Sequence, residues 1–260
     1  MYKKLLVKRD GPLLTVSLNR PEKLNAIGGE LATELIQVFD EIKADATIGA
    51  VLLCAEGRAF CAGGDVDSFA AGSDLSPAQQ AIALREDPIV SRLTALEQPV
   101  VAAVNGYAMG LGATLALFCD VVVAAEDAQF ADTHVAMGLV AGDGGAVMWP
   151  LLMSFGAARY YLMTGERISG AEAARIGMIL RAVPAGQLRD EATKVARKLA
   201  GLPPLAVRGT KATLDRIVKH RADLVMETGL LLEGATFLSE DHAEAVSAFA
   251  EKRRPEFKGR

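Results

Sequence analysis

The stretch Gln98-Pro99-Val100-Val101-Ala102-Ala103-Val104-Asn105-Gly106-Tyr107-Ala108-Met109-Gly110-Leu111-Gly112-Ala113-Thr114-Leu115-Ala116-Leu117-Phe118-Cys119 carries no charged residue. Its length would suit a membrane span. Asn105, Tyr107, Thr114 and three glycines argue against one, and the Asn-Gly step at 105–106 breaks the run in two. A buried strand, a turn and a buried helix account for it better, so no membrane segment is expected.

Working outward, apolar runs rich in β-branched residues stand at 13–18, 50–54, 100–104, 121–124 and 178–183. Each is short and bounded by Gly, Pro or charge, as buried strands are. Across 30–44, Leu31, Leu35, Val38, Phe39 and Ile42 repeat at helical spacing. Strands alternating with helices give an α/β class with mostly parallel pairing. Ser76-Pro77-Ala78-Gln79 and Ser169-Gly170-Ala171-Glu172 are capping boxes that start helices. From Gln187 the texture changes: 187–200, 203–219, 221–232 and 240–253 read as successive helices without a strand between them. The expected division is an α/β core over 1–195 and a helical region over 196–260.

The chain has 260 residues, 51% hydrophobic and 23% charged, which is ordinary globular composition. Its net charge of −4 gives no basic bias toward nucleic acid or anionic membrane. Cys54, Cys61 and Cys119 are odd in number, widely spaced and set among apolar residues, so they read as reduced core cysteines. Met1-Tyr2-Lys3-Lys4 is not followed by the long apolar stretch of a signal peptide, and a cytoplasmic protein is expected. No P-loop, Gly-x-Gly-x-x-Gly or Gly-x-Ser-x-Gly motif is present. His134, His220 and His242 lack metal-ligand spacing, and no metal is expected.

Three glycine clusters end apolar runs: 57–65, 105–112 and 138–145. Glycine lets backbone approach a ligand closely and exposes N–H groups. Two such groups converging on one oxygen make an oxyanion hole. Each cluster alone reads equally as a tight turn; three, each before a helix start, point to a site.

Leu18-Asn19-Arg20-Pro21-Glu22-Lys23-Leu24-Asn25-Ala26, Ala59-Phe60-Cys61-Ala62-Gly63-Gly64-Asp65 and Asn105–Gly112 resemble the enoyl-CoA hydratase/isomerase (crotonase) family. So do Tyr161–Glu166, Ala173–Gly177 and Phe249–Arg253, in order along the whole chain. The resemblance implies a spiral of ββα units with a C-terminal helical trimerisation region, assembled as a trimer or a dimer of trimers. It implies a CoA thioester substrate and no separate cofactor. The N–H groups of Gly64 and Leu111 would form the oxyanion hole around the thioester carbonyl. Lys23, Leu24, Ala26, Ala62, Gly63, Asp65, Val66, Tyr107 and Gly110 would line the CoA and acyl path. Phe249 and Lys252 match a tail that reaches the nucleotide end. Lys23 and Lys252 could meet the CoA phosphates as charge-assisted donors, or be solvated surface.

The sequence departs from the hydratase pattern at the two catalytic glutamates, whose positions are held by Thr114 and His134. A threonine hydroxyl does not titrate near neutral pH, whereas histidine does. His134 and Asp143 flank the third glycine cluster, a spacing similar to that of β-diketone hydrolases of the superfamily. An aspartate bonded to a histidine fixes its tautomer and steadies its imidazolium. Asp143 also precedes a helix and could cap it; Asp132 is an alternative partner. Three functions follow: a hydratase or isomerase with His134 as acid–base, a His134–Asp143 hydrolase of a thioester or β-diketone, and a non-catalytic acyl-CoA binder. Trp149 reads as core, and the apolar face of the terminal helices as core or subunit contact.

Overall fold

The computed structural model describes residues 2–65 and 88–260. The capping box at 76–79 and Val66 lie outside the described residues. β1 (Leu5–Asp10) and β2 (Leu13–Leu18) form an antiparallel hairpin. α1 (Gly29–Ala44) buries the expected face, Leu31, Leu35, Val38, Phe39 and Ile42. β3 (Ala50–Ala55), α2 (Pro88–Thr94) and β4 (Val100–Val104) follow. The uncharged stretch then turns at Asn105-Gly106 into β5 (Tyr107–Met109) and α3 (Leu111–Leu117). It is the buried strand, turn and helix expected. Among the described residues, no helix is long and apolar enough to cross a membrane.

β6 (Val121–Ala125) and β7 (Gln129–Ala131) lead through a 3-10 turn at His134–Met137 to α4 (Gly145–Leu152) and α5 (Phe155–Thr164). β8 (Ile168–Ser169), α6 (Gly170–Arg175), β9 (Arg181–Val183) and α7 (Leu188–Ala200) complete the core. α8 (Pro204–Thr236) and α9 (Glu240–Glu251) end the chain.

Two sheets result. The larger runs β1-β2-β3-β4-β6-β9 and is parallel from β2 onward. The smaller runs β5-β7-β8, and isolated parallel bridges extend its line from Ala108 to Cys61 and from Gly64 to Ile27. Each turn of chain thus gives one long strand to the first layer and one short segment to the second. This is the expected spiral. β2, β3, β4 and β6 are buried almost throughout, so they read as continuous apolar runs rather than as alternation. Trp149 and Phe130 are fully buried in the same core. All three cysteines are free and buried, and burial pushes the Cys61 thiol up to about 12.

Three expectations need correction. The strand expected at 178–183 begins only at Arg181, because Met178 N–H and Ile179 N–H bond back to the Ala173 carbonyl and close α6. The helices expected at 203–219 and 221–232 are one helix, α8, since Lys219-His220-Arg221 is polar but contains no breaker. The boundary at 195 falls inside α7, which packs on β3, β4 and β6.

Candidate active site

The first loop of the site is fixed by one buried side chain. Asn25 adopts a left-handed backbone (φ 56°) and is fully buried. Its amide donates to the carbonyls of Glu56 (2.9 Å) and Ala59 (2.8 Å), and its oxygen accepts from Arg20 N–H (2.7 Å). This clamps 20–25 against the start of the first glycine cluster. The Leu24 carbonyl accepts from Ala62 N–H, the Gly63 carbonyl from Ile27 N–H, and the Ile27 carbonyl from Asp65 N–H. The segments 24–27 and 62–65 therefore run side by side. Asp65 is buried and its carboxylate forms an ion pair with Arg20 at 2.6 Å. Lys23 is exposed at the end of a 3-10 turn, and Tyr107 lies half-buried with the Arg167 guanidinium 5.7 Å from its ring.

The first and second glycine clusters meet backbone to backbone. Cys61 N–H donates to the Tyr107 carbonyl and Met109 N–H to the Cys61 carbonyl. A Cβ on Gly112 would stand 2.4 Å from the Cys61 carbonyl oxygen, and one on Gly63 would stand 3.0 Å from that of Met109. Only glycine permits that approach at Gly112. The result places Gly64 and Leu111 on neighbouring strands of chain. Leu111 is the first residue of α3, so its N–H has no partner within the helix. Among the described residues neither Gly64 N–H nor Leu111 N–H is given to a backbone acceptor. Gly110 adjoins the third element of the site: a Cβ there would lie 3.9 Å from His134 Cε1.

His134 opens the 3-10 turn after β7 and is ringed by carboxylates. Its Nδ1 lies 2.6 Å from Asp132 Oδ1, its Nε2 3.4 Å from Asp143 Oδ2 and 3.7 Å from Glu233 Oε1. Sequence reasoning set Asp143 above Asp132 as its partner; the shorter contact is to Asp132. Asp143 accepts from the Thr114 hydroxyl at 3.0 Å and from Gly145 N–H at the start of α4. Gly144, not Asp143, takes the N-cap position of α4, and the Asp143 carboxylate faces the histidine instead. Burial alone would push the His134 imidazole down, but the charges of Asp143 and Asp132 outweigh it and hold the ring well above its ordinary value of 6.5. Burial opposes ionisation of Asp143 too, yet the His134 charge and the bonds from Thr114 and Gly145 hold its carboxyl below the usual range.

Asp132, His134 and Asp143 each bring a ligand-type atom within 4.8 Å of the others. The 2.6 Å contact of His134 Nδ1 with Asp132 leaves no room for an ion between them. A cavity of about 620 Å³ opens beside Asp143 between α2 and α8, with Val90, Leu96, Phe118, Met148 and Met226 on its walls.

Phe249 and Lys252 stand apart from this cluster. α9 docks by its first turn, where His242 Nδ1 is 2.8 Å from the Met137 carbonyl oxygen and Asp241 packs against Gly138. Phe249 and Lys252 lie at its other end, exposed, with Lys252 roughly 15 Å further along the axis than His242. Sequence reasoning missed Glu233 and the clamp formed by Asn25. Asn25 stood inside a quoted motif; Glu233 carried no signal, since a glutamate within a helix is unremarkable.

A model of the enoyl-CoA hydratase/isomerase family matches residues 8–260. The short-chain-enoyl-CoA hydratase of Clostridium acetobutylicum is 32% identical over 258 residues, covering 98% of each chain. The 1,2-epoxyphenylacetyl-CoA isomerase of Escherichia coli is 34% identical, covering 95% of each. Among solved structures, an enoyl-CoA hydratase/isomerase from Mycobacterium paratuberculosis is similar at 36% identity with a TM-score of 0.87, covering 95% of this chain and 98% of its own.

Proposed function

The chain belongs to the enoyl-CoA hydratase/isomerase family, and we propose that it acts on an enoyl-CoA by stabilising a thioester enolate. The thioester oxygen accepts from Gly64 N–H and Leu111 N–H. Negative charge that develops there meets fixed donors and needs no reorganisation. Leucine serves at the second position because only its backbone takes part. The cavity beside Asp143 receives the acyl chain.

One observation carries the acid–base assignment: the Asp143 carboxylate rests on the Thr114 hydroxyl at 3.0 Å. Thr114 stands where the hydratase pattern has its first glutamate. Asp143 thus brings a carboxylate to that place from the opposite side of the site. His134 stands where the second glutamate would be. With a carboxylate at each ring nitrogen it is held as an imidazolium, so it is a proton donor at neutral pH. Of the acid–base role expected of His134, this reading takes the acid. In hydration, Asp143 takes a proton from the water that adds to the β-carbon. His134 gives one to the α-carbon as the enolate collapses, leaving a 3-hydroxyacyl-CoA. Asp132 fixes the ring through Nδ1.

CoA is part of the substrate in this scheme, and no separate cofactor is used. A trimer or dimer of trimers, in the cytoplasm, fits the exposed apolar residues Leu214, Ile217, Leu224 and Leu231 of α8. The test is a product-resolved assay with crotonyl-CoA, a medium-chain enoyl-CoA, a saturated acyl-CoA and a cyclic β-diketone, run beside His134→Ala. A 3-hydroxyacyl-CoA or a shifted double bond, lost in the variant, supports the proposal. Free CoA or a cleaved diketone assigns the same residues to hydrolysis. Binding without turnover makes the chain an acyl-CoA binder.

A further inference from the structure

Glu233 lies on α8, far along the chain from the glycine clusters, and is 3% exposed. A carboxylate so buried costs several kcal/mol unless an opposite charge faces it. Its Oε1 is 3.7 Å from His134 Nε2, the atom that also faces Asp143. The helix is brought that close by glycine on the loop: a Cβ at Gly142 would stand 2.6 Å from Glu233 Oε2 and 2.6 Å from the Gly229 carbonyl oxygen. Any side chain at Gly142 would lift α8 and withdraw Glu233 from the histidine. Val140 N–H donates to Thr236 Oγ1 one helical turn on, holding the same crossing.

We propose that Glu233 is a positioning residue of the acid–base site, its carboxylate facing His134 Nε2 beside that of Asp143 so that the C-terminal helix helps keep the ring charged. This rests on the reading of His134 as the proton donor. The other neighbours of the ring are accounted for. Asp132 faces Nδ1 from the end of β7, and α3 contributes the uncharged Thr114. α9 meets the loop through Asp241 at Gly138 and His242 at the Met137 carbonyl. α5 is followed by Gly165, which packs on Val135. Among the described residues Glu233 is thus the one carboxylate that reaches His134 from outside the spiral. A catalytic carboxylate would touch substrate; Glu233 acts through His134.

The experiment follows the imidazole itself by NMR of the full chain with 15N-labelled histidine. The chain has three histidines, so replacing His220 and His242 in turn assigns the His134 signals. In Glu233→Gln, which keeps shape and loses charge, the His134 titration should move down by about one pH unit or more. Glu233→Asp, which keeps charge but withdraws it by one methylene, should move it down by less. A Glu233→Gln curve that superposes on the wild type overturns the proposal. Should that variant fail to fold, an unmoved curve in Glu233→Asp does the same. The proposed function is read separately. A titration that moves while His134→Ala keeps full turnover preserves the coupling and sinks the catalytic reading. Turnover that collapses in His134→Ala with an unmoved titration does the reverse.

Discussion

The spiral core and the C-terminal helices reach the same histidine by different means. The core works through backbone. Gly63 and Gly112 let two loops touch, and among the described residues the N–H groups of Gly64 and Leu111 go to no backbone acceptor. The helices work through side chains: α8 lowers Glu233 onto the ring, and α9 holds the loop behind it through His242. Backbone chemistry needs glycines at fixed places and so writes itself into the sequence. Side-chain chemistry from a helix needs one residue among many of its kind and leaves no such mark.

The comparison breaks most directly at the group both regions serve. His134→Ala should lose about 10²- to 10⁴-fold in kcat/KM with substrate binding retained, the range for an acid–base group; steady-state kinetics with the preferred enoyl-CoA reads it. Next comes the backbone contribution. Leu111→Pro removes one N–H at the first position of a helix, where proline is accommodated, and should cost about 10²- to 10³-fold in kcat. Leu111→Ala keeps the N–H and should stay within a few-fold of wild type. Equal losses in the two variants would show that the Leu111 side chain, not its backbone, matters.

A smaller effect appears in stability against pH. The folded value of His134 lies above its ordinary 6.5. Its contribution is therefore complete below about pH 6.5 and is lost as pH rises through the folded value. Denaturant midpoints of wild type and His134→Asn should converge as pH is raised above about 6.5, and a gap that widens instead would refute the charged-ring picture. Turnover should fall over the same window, because a proton donor is being titrated. The smallest effect belongs to the far end of α9. Lys252→Ala should raise KM for the CoA thioester by no more than a few-fold, as an exposed lysine near phosphate would.

What was legible follows the same divide. Strands 13–18 and 100–104 match to the residue because β-branched runs between turn signals have few other uses. Ser169 accepts from Glu172 N–H as the capping box required, although Glu172 pairs with Arg175 rather than closing the box. β5, β7 and β8 escaped notice because segments of two or three residues have no readable period, and their pairing is set by the strands around them. No helix break falls near residue 220, where neither Gly nor Pro stands to end the helix. In the site, His134 and Asp143 were legible from their place beside a glycine cluster. The closer contact of Asp132 was not, because two residues of spacing says nothing about which way a 3-10 turn will aim a ring.

The spiral also orders events in time. β2 is paired by β3, β3 by β4, β4 by β6 and β6 by β9, so each strand leaving the ribosome finds its partner already made. Chains fold from the N-terminal end as they are synthesised. Gly64 and Leu111 can thus be in place while α8 is still untranslated. A nascent chain at that stage already carries Thr114, His134 and Asp143 but lacks the carboxylate that α8 brings to the ring. In the proposed mechanism the charge that tunes His134 is therefore the last part of the site to arrive.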